Sequence, residues 1–139
     1  MRVLFDTNVI LDVLLDREPF ARDAGLLVAS VERGGLDGLL CATTITTIHY
    51  LANKSLGARR TRTLVRGLLS LFEIAPVDRS VLESAQELAF ADFEDAVLHE
   101  AGRHAGADAI VTRDLKGFAR AALPIHTPDV LLKILQTLA

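Results

Sequence analysis

Short apolar runs alternate along the chain with stretches whose apolar residues recur at helical spacing. The runs at residues 2–5, 36–42, 74–77 and 108–112 predict buried strands, and Ile125 marks a further edge strand. Because parallel neighbours need a helix-length connection, strands that alternate with helices predict a parallel sheet covered on both faces. The expected fold class is therefore α/β, a three-layer sandwich whose central parallel sheet has four to five strands flanked by helices.

Helix signals fill the segments between these runs. An amphipathic pattern begins at Val9, and a second helix runs from near Pro19 to the glycine pair at 34–35. The remaining helices are predicted over 44–56 with Thr43 or Thr44 as the cap, over 58–72, from Asp78 or Ser80 to Ala89, from 92–95 to Gly106, over 115–121, and from Pro128 onward.

Composition favours one compact domain over residues 1–139. Half of the residues are hydrophobic, and a chain of this length can bury roughly two-thirds of its unfolded surface without a disulfide or a structural metal. Cys41 is the single cysteine and lies in an apolar run, which is typical of a core residue in a reducing compartment. Because no apolar segment approaches about 18 residues, we expect a cytoplasmic protein that does not enter a membrane.

Arginines cluster in one short segment, although the chain as a whole is mildly acidic. The formal net charge of −3 argues against a protein that holds nucleic acid by general electrostatics alone. Arg59, Arg60, Arg62 and Arg66 nevertheless lie close together in the sequence. They could contact RNA phosphates or form an ordinary solvated helix face, and the sequence leaves both interpretations open.

Acidic residues follow the predicted strands at the edge where α/β sheets carry their sites. Asp6 ends the first strand, Asp114 lies just past the fourth, and Asp92 and Asp95 open the helix that leads into the fourth. Each acid taken alone is explained as a helix cap or a first-turn acid. Carboxylates that converge repel one another unless a cation offsets them, and an all-oxygen ligand set suits Mg²⁺ or Mn²⁺. Together they predict a metal site.

Three blocks of the sequence resemble a PIN domain. They are residues 3–11 (VLFDTNVIL), 92–96 (DFEDA) and 106–114 (GADAIVTRD), and Phe118 and the pair 127–128 follow them. The blocks occur in the family's order and spacing, and the resemblance covers nearly the whole chain. It implies the PIN-like fold.

The same resemblance implies a metal-dependent endoribonuclease that uses a bound water to hydrolyse RNA, leaving a 5′-phosphate and a 3′-hydroxyl. By the family's pattern Asp6, Asp95 and Asp114 are the catalytic acids that bind Mg²⁺ or Mn²⁺, and Asn8 and Thr112 are supporting polar residues. It also implies a VapC-like toxin of a type II toxin–antitoxin pair, with a protein antitoxin as its partner and a homodimer as its assembly.

The chain departs from the family's pattern at one acid. The second acid is normally a glutamate on the helix after the second strand, and alignment places Thr47 there. A threonine hydroxyl is neutral and a weak ligand, so one negative charge is missing from the metal site. The site could hold one metal ion instead of two, borrow Asp92, or be inactive. The alternative function is therefore a catalytically impaired module that binds RNA or a protein.

Two further alternatives concern single residues. His99 lies four residues after Asp95 on the same side of the helix, and His49 lies near the missing acid, so histidine could compete as a metal ligand. A lone helical histidine is more often packed or solvated. A phosphatase with Asp6 as the nucleophile would need a second aspartate two residues later, where this chain has Asn8.

Overall fold

Five parallel strands form the central sheet of the computed structural model, which describes residues 1–138. The strands are β1 (Arg2–Phe5), β2 (Asp37–Cys41), β3 (Glu73–Ala75), β4 (Ala109–Val111) and β5 (Ile125–His126). They lie in the order β3-β2-β1-β4-β5, and each neighbouring pair is parallel. Because β1 lies at the centre, Asp6 emerges from the middle of the sheet.

Helices cover both faces of this sheet. They are α1 (Thr7–Leu14), α2 (Ala21–Glu32), α3 (Ala42–Leu56), α4 (Ala58–Leu71), α5 (Arg79–Gln86), α6 (Phe93–His104) and α7 (Pro128–Leu138). Successive side chains of a strand point to opposite faces, so Val3 and Phe5 pack with α1, α2, α3, α4 and α7, while Leu4 packs with α5 and α6. The predicted three-layer α/β sandwich is confirmed. No helix within residues 1–138 combines the length and the apolar content needed to cross a bilayer.

Some predicted helix ends were wrong. Cys41 is the N-cap of α3 and makes no side-chain capping bond, so Thr43 and Thr44 lie inside the helix. The reason is that β2 runs directly into α3, and no loop residue remains between them. Helix α5 ends at Gln86, before Leu88.

Residues 115–120 form successive turns, and the short helix predicted over 115–121 was wrong. The Asp114 side chain accepts a hydrogen bond from the Gly117 amide at 3.0 Å, which fixes the first turn. The Ala121 amide then donates to the Phe118 carbonyl at 3.0 Å, a bond three residues back along the chain. These local bonds give the backbone an alternative to a continuous helix.

Candidate active site

Acidic and hydroxyl side chains line one pocket of about 320 Å³ at the carboxyl edge of the sheet. Asp6 follows β1 and Asp114 follows the neighbouring strand β4, while the first turn of α6 forms another wall. The acids that line this pocket are Asp6, Asp92, Glu94, Asp95 and Asp114. The structure thus brings together the four acids that the sequence singled out, and it adds Glu94.

The Asp6 carboxylate is buried and held by three hydrogen bonds. Its Oδ1 accepts from the Thr7 amide at 2.8 Å, and its Oδ2 accepts from Thr112 Oγ1 at 2.7 Å and from Asn8 Nδ2 at 3.3 Å. Burial raises the pKa of Asp6 above its ordinary value, although the bond from Thr112 acts in the opposite direction. Asn8 and Thr112 therefore orient the central acid.

Thr112 also connects Asp6 to the acid that follows β4. Its Oγ1 accepts a hydrogen bond from the Asp114 amide at 2.9 Å while it donates to Asp6. The backbone at Gly117 packs tightly against Asp114 and Asp95. A Cβ added there would collide with Asp114 Oδ2 and would stand 3.0 Å from Asp95 Oδ2. The carboxylate from the first turn of α6 and the one that follows β4 thus meet at one backbone position.

Asp95 is the acid whose ionisation is most strongly opposed. Its amide donates to Asp92 Oδ1 at 3.2 Å, which caps α6 and keeps the two carboxylates close together. Burial, followed by the nearby charges of Asp6, Asp92 and Asp114, raises the pKa of Asp95 to about 7. A cation in the pocket would offset this repulsion.

The donor set of the pocket fits Mg²⁺ or Mn²⁺, because carboxylate and hydroxyl oxygens are the ligands these hard cations prefer. Within residues 1–138, no three His, Cys, Asp or Glu side chains are gathered into a ready-made group of metal ligands. The fit therefore depends on the chemistry of the acids and on their mutual repulsion.

Comparison with known families agrees with this arrangement. A family model described as a PIN domain matches residues 2–116. The chain belongs to the PIN-domain family. The matched segment contains Asp6, Asp95 and Asp114, so every acid predicted to bind metal lies within the PIN domain.

Solved structures share this PIN fold. A toxin–antitoxin complex from Klebsiella pneumoniae has a TM-score of 0.67 and 24% identity, over 91% of this chain and 97% of that one. A DNA-bound VapBC from Salmonella typhimurium has a TM-score of 0.68 and 21% identity, over 92% and 98%. VapC20 from Mycobacterium tuberculosis, a sarcin–ricin-loop-cleaving toxin, has a TM-score of 0.61 and 15% identity, over 78% and 86%. No curated protein matches the chain by sequence.

Thr47 lines the acidic pocket of this PIN domain from α3. Its Oγ1 donates to the Thr43 carbonyl one turn earlier, at 3.1 Å, and, being a neutral hydroxyl, it brings no charge to the site. Glu94 lies in the same pocket, and sequence reasoning missed it. Its place in the first turn of α6, between Asp92 and Asp95, was the available signal.

His99 is a structural residue in this PIN domain, and the idea that it competes as a metal ligand was wrong. The side chain is buried, and Nε2 accepts hydrogen bonds from the amides of Ala122 at 3.1 Å and Leu123 at 3.2 Å. The proton must then be on Nδ1, which donates to Glu100 Oε2 at 2.8 Å. Both ring nitrogens are therefore occupied. His49 is exposed and does not line the acidic pocket.

The arginine cluster lies on the exposed surface of α4. Arg59, Arg60, Arg62 and Arg66 are all exposed, and none of them lines the acidic pocket. A contact between this helix and RNA phosphates stays a prediction.

Proposed function

We propose that this PIN domain is a metal-dependent endoribonuclease that hydrolyses RNA phosphodiesters and acts as the toxin of a type II toxin–antitoxin pair. The observation that carries the proposal is the convergence of Asp6, Asp95 and Asp114 on one pocket at the carboxyl edge of the sheet. Acids that raise one another's pKa in this way are typical of sites that work with a bound cation.

Asp6, Asp95 and Asp114 are the residues that would hold Mg²⁺ or Mn²⁺, which supplies a more acidic bound water and offsets charge on the phosphodiester. Asn8 and Thr112 keep the Asp6 carboxylate in one orientation through bonds to Oδ2. Without a cation the Asp95 carboxyl has a pKa of about 7 and is partly protonated near neutral pH, so binding of the ion there would release a proton and leave the carboxylate as a ligand. These roles suit hydrolysis by an activated water.

A cleavage assay tests the proposed activity. Wild type should cleave a mixed RNA substrate with Mg²⁺ or Mn²⁺, and EDTA should stop the reaction. Asp114→Asn should lose at least a hundredfold in rate, on the order of the loss expected when one acid of an acid–base or metal site is removed. Glu83→Gln, which removes an exposed carboxylate from α5, should cleave like wild type. Cleavage that survives EDTA, or that Asp114→Asn retains, would refute the proposal.

The proposed partners follow from the solved structures that share the fold. Several of them are toxin–antitoxin complexes, and one is described as a toxin that cleaves the sarcin–ricin loop. We expect this chain to bind a protein antitoxin in the cytoplasm, where its RNA substrates are. An adjacent small gene whose product copurifies with the chain and suppresses cleavage would identify the antitoxin.

We also expect a homodimer. Large apolar side chains remain exposed on several helices, among them Tyr50 at 62% and Leu69 at 50%. Sedimentation at micromolar concentration should give twice the chain mass of 15.1 kDa. A monomer mass would contradict the expectation.

A catalytically impaired binding module is the second candidate function, and Thr47 favours it. The Thr47 hydroxyl bonds to its own helix and contributes no negative charge where the family has an acid. RNA that binds to the protein without being cleaved in Mn²⁺ would select this candidate.

A further inference from the structure

A second pocket, of about 300 Å³, opens at the same edge of the sheet. It is formed by the first turns of α2 and α7 and by the residue that follows Thr112. We call it the aromatic pocket; its lining includes Pro19, Phe20, Asp23, Arg113, Pro128 and Asp129. Arg113 stands in the chain between Thr112, which bonds to Asp6, and Asp114. The aromatic pocket is therefore next to the acidic pocket along the backbone.

Arg113 lines this pocket, and hydrogen bonds fix the position of its side chain. Its Nε and Nη2 donate to the two carboxylate oxygens of Asp12 at 2.6 Å and 3.2 Å, and Asp12 is completely buried. Paired contacts of this kind fix the plane of the guanidinium. The guanidinium lies 3.9 Å from the centroid of the Phe20 ring, and that ring is 40% exposed. The guanidinium therefore covers one side of the Phe20 ring, and both side chains line the open pocket.

The charges of the aromatic pocket disfavour a phosphate group. Asp12 pairs with Arg113 and also, at 3.8 Å, with Arg17, while Asp23 and Asp129 add two carboxylates to the lining, so these three acids outnumber the two arginines. The Asp129 carboxyl is ionised at neutral pH like any exposed aspartate, and a hydrogen bond from the Thr127 side chain lowers its pKa further. The pocket instead suits a flat, neutral group that carries N–H donors.

We propose that the aromatic pocket binds an unpaired nucleobase of the RNA, one that neighbours the phosphodiester at the acidic pocket. Bases stack on aromatic rings and on guanidinium planes, and the amino groups of adenine, cytosine and guanine donate to carboxylates. Phe20 and Arg113 would supply the stacking surface, and Asp23 or Asp129 would accept from the base. This inference rests on the proposed function, since it names a part of the substrate of that same site.

Titration with free nucleosides tests the pocket without requiring cleavage. Adenosine, cytidine and guanosine should shift the amide NMR signals of Phe20, Arg113 and Asp129, and uridine, which lacks an amino group, should shift them less. Phe20→Leu should weaken nucleoside binding by about tenfold, within the range for loss of one stacking contact. Phe20→Tyr keeps the ring and should bind like wild type.

Tyr50→Leu is the matched control, because Tyr50 is an exposed ring in another cation–aromatic pair, with Lys54 at 4.3 Å. It should leave nucleoside binding unchanged. The inference is overturned if nucleosides do not shift these signals, or if Phe20→Leu responds like wild type. It is also overturned if N-acetyl-arginine amide shifts the signals and nucleosides do not, since the pocket would then take a basic side chain of a protein.

Cleavage kinetics separate this inference from the proposed function. If wild type cleaves RNA, Phe20→Leu should raise KM and weaken the preference for one base beside the cleaved bond, with kcat changed less than KM. Equal KM values and equal base preference in the two proteins would overturn the inference while the nuclease proposal stands. If wild type cleaves no RNA, the nuclease proposal fails, and the nucleoside titration still decides whether the pocket binds a base.

Discussion

Thr112 Oγ1 donates a hydrogen bond of 2.7 Å to Asp6 Oδ2, joining two residues that are 106 positions apart in the chain. The same hydroxyl accepts from the Asp114 amide. One side chain therefore sets the relative positions of the acids that follow β1 and β4.

Removing this hydroxyl should loosen the site. Thr112→Val should lower the free energy of unfolding by about 1–3 kcal/mol, because a buried hydrogen bond to a carboxylate is lost. It should also raise the pKa of Asp6 further, since the bond from Thr112 opposes the effect of burial. Urea unfolding measures the stability, and Mn²⁺ calorimetry at several pH values follows the Asp6 pKa, because a proton on Asp6 competes with the metal. Thr112→Ser keeps the hydroxyl and should retain most of the metal affinity. A Val variant as stable as wild type would show that the bond contributes nothing.

Asp95 should make the metal-free protein less stable as the pH rises. The pKa of Asp95 is about 7 in the folded protein and ordinarily near 3.8. Between these two pH values the Asp95 carboxyl is therefore ionised in the unfolded chain and protonated in the folded protein. The free energy of unfolding should therefore fall from pH 4 to pH 7. Asp95→Asn should remove the Asp95 part of this slope and leave the part due to Asp6, whose pKa is also raised. It should stabilise the protein at pH 8 by on the order of 1 kcal/mol, after allowance for solvent screening. Urea unfolding in EDTA at several pH values, with Glu83→Gln as the control, checks this; parallel profiles for Asp95→Asn and wild type would contradict it.

Restoring an acid at Thr47 should strengthen the metal site. Ligand count and ligand charge set the affinity for Mg²⁺ and Mn²⁺, so Thr47→Glu should tighten Mn²⁺ binding and raise cleavage at limiting metal. The added repulsion should slightly lower the stability of the metal-free protein. Thr46→Glu adds the same charge to an exposed position that does not line the pocket, and it should not change metal affinity. Equal Mn²⁺ affinities for wild type and Thr47→Glu would show that Thr47 does not occupy the missing-acid position.

Gly117→Ala should displace the Asp114 carboxylate while it changes the stability of the fold only slightly. The new methyl group would collide with the end of the Asp114 side chain, which can move, so stability should change by less than about 1 kcal/mol. Displacing a ligand by even about 1 Å should weaken Mn²⁺ binding by roughly tenfold. Gly67→Ala, an open position on α4 with no atom within 4 Å of the added carbon, is the matched control and should leave Mn²⁺ binding unchanged. Calorimetry that finds wild-type affinity for Gly117→Ala would mean that Asp114 does not bind the metal.

The arginines of α4 should contribute to RNA binding through phosphates. Replacing Arg62 and Arg66 together by glutamine should weaken binding and reduce the slope of log affinity against log salt by about 1.4, at roughly 0.7 for each single-strand phosphate contact. The double replacement of Arg33 and Arg79, exposed residues at the end of α2 and on α5, should leave the slope unchanged. If the α4 variant also keeps the wild-type slope, this face of the helix is only solvated.

The convergence of the acids could be predicted from sequence because it follows from strand order. Asp6 and Asp114 each come just after an apolar run, and parallel strands end at the same edge of their sheet. The contribution of Glu94 could not be predicted in this way. Whether a first-turn residue faces the site depends on how α6 is rotated against the sheet, and periodicity along one helix does not determine that rotation.

The role of His99 could not be predicted without the tertiary structure. Helical spacing placed it on the same side as Asp95, but the ring accepts bonds from the amides of Ala122 and Leu123, more than twenty residues later. The aromatic pocket was missed for the same reason, since its walls come from residues near positions 20, 113 and 128. No local pattern brings such distant segments together.

The pairing of β1 with β4 has a consequence for synthesis on the ribosome. Val3 lies beside Ala109 and Phe5 beside Val111, so one edge of the first strand can pair only after the fourth strand has been made, although its other edge pairs with β2. Until Thr112 and Asp114 have been added, Asp6 lacks the hydroxyl that orients it, and the pocket lacks the acid that follows β4. A nascent chain, or a fragment that stops before these residues, therefore lacks the assembled acids. The complete set of pocket acids therefore exists in the cell only after translation has passed residue 114.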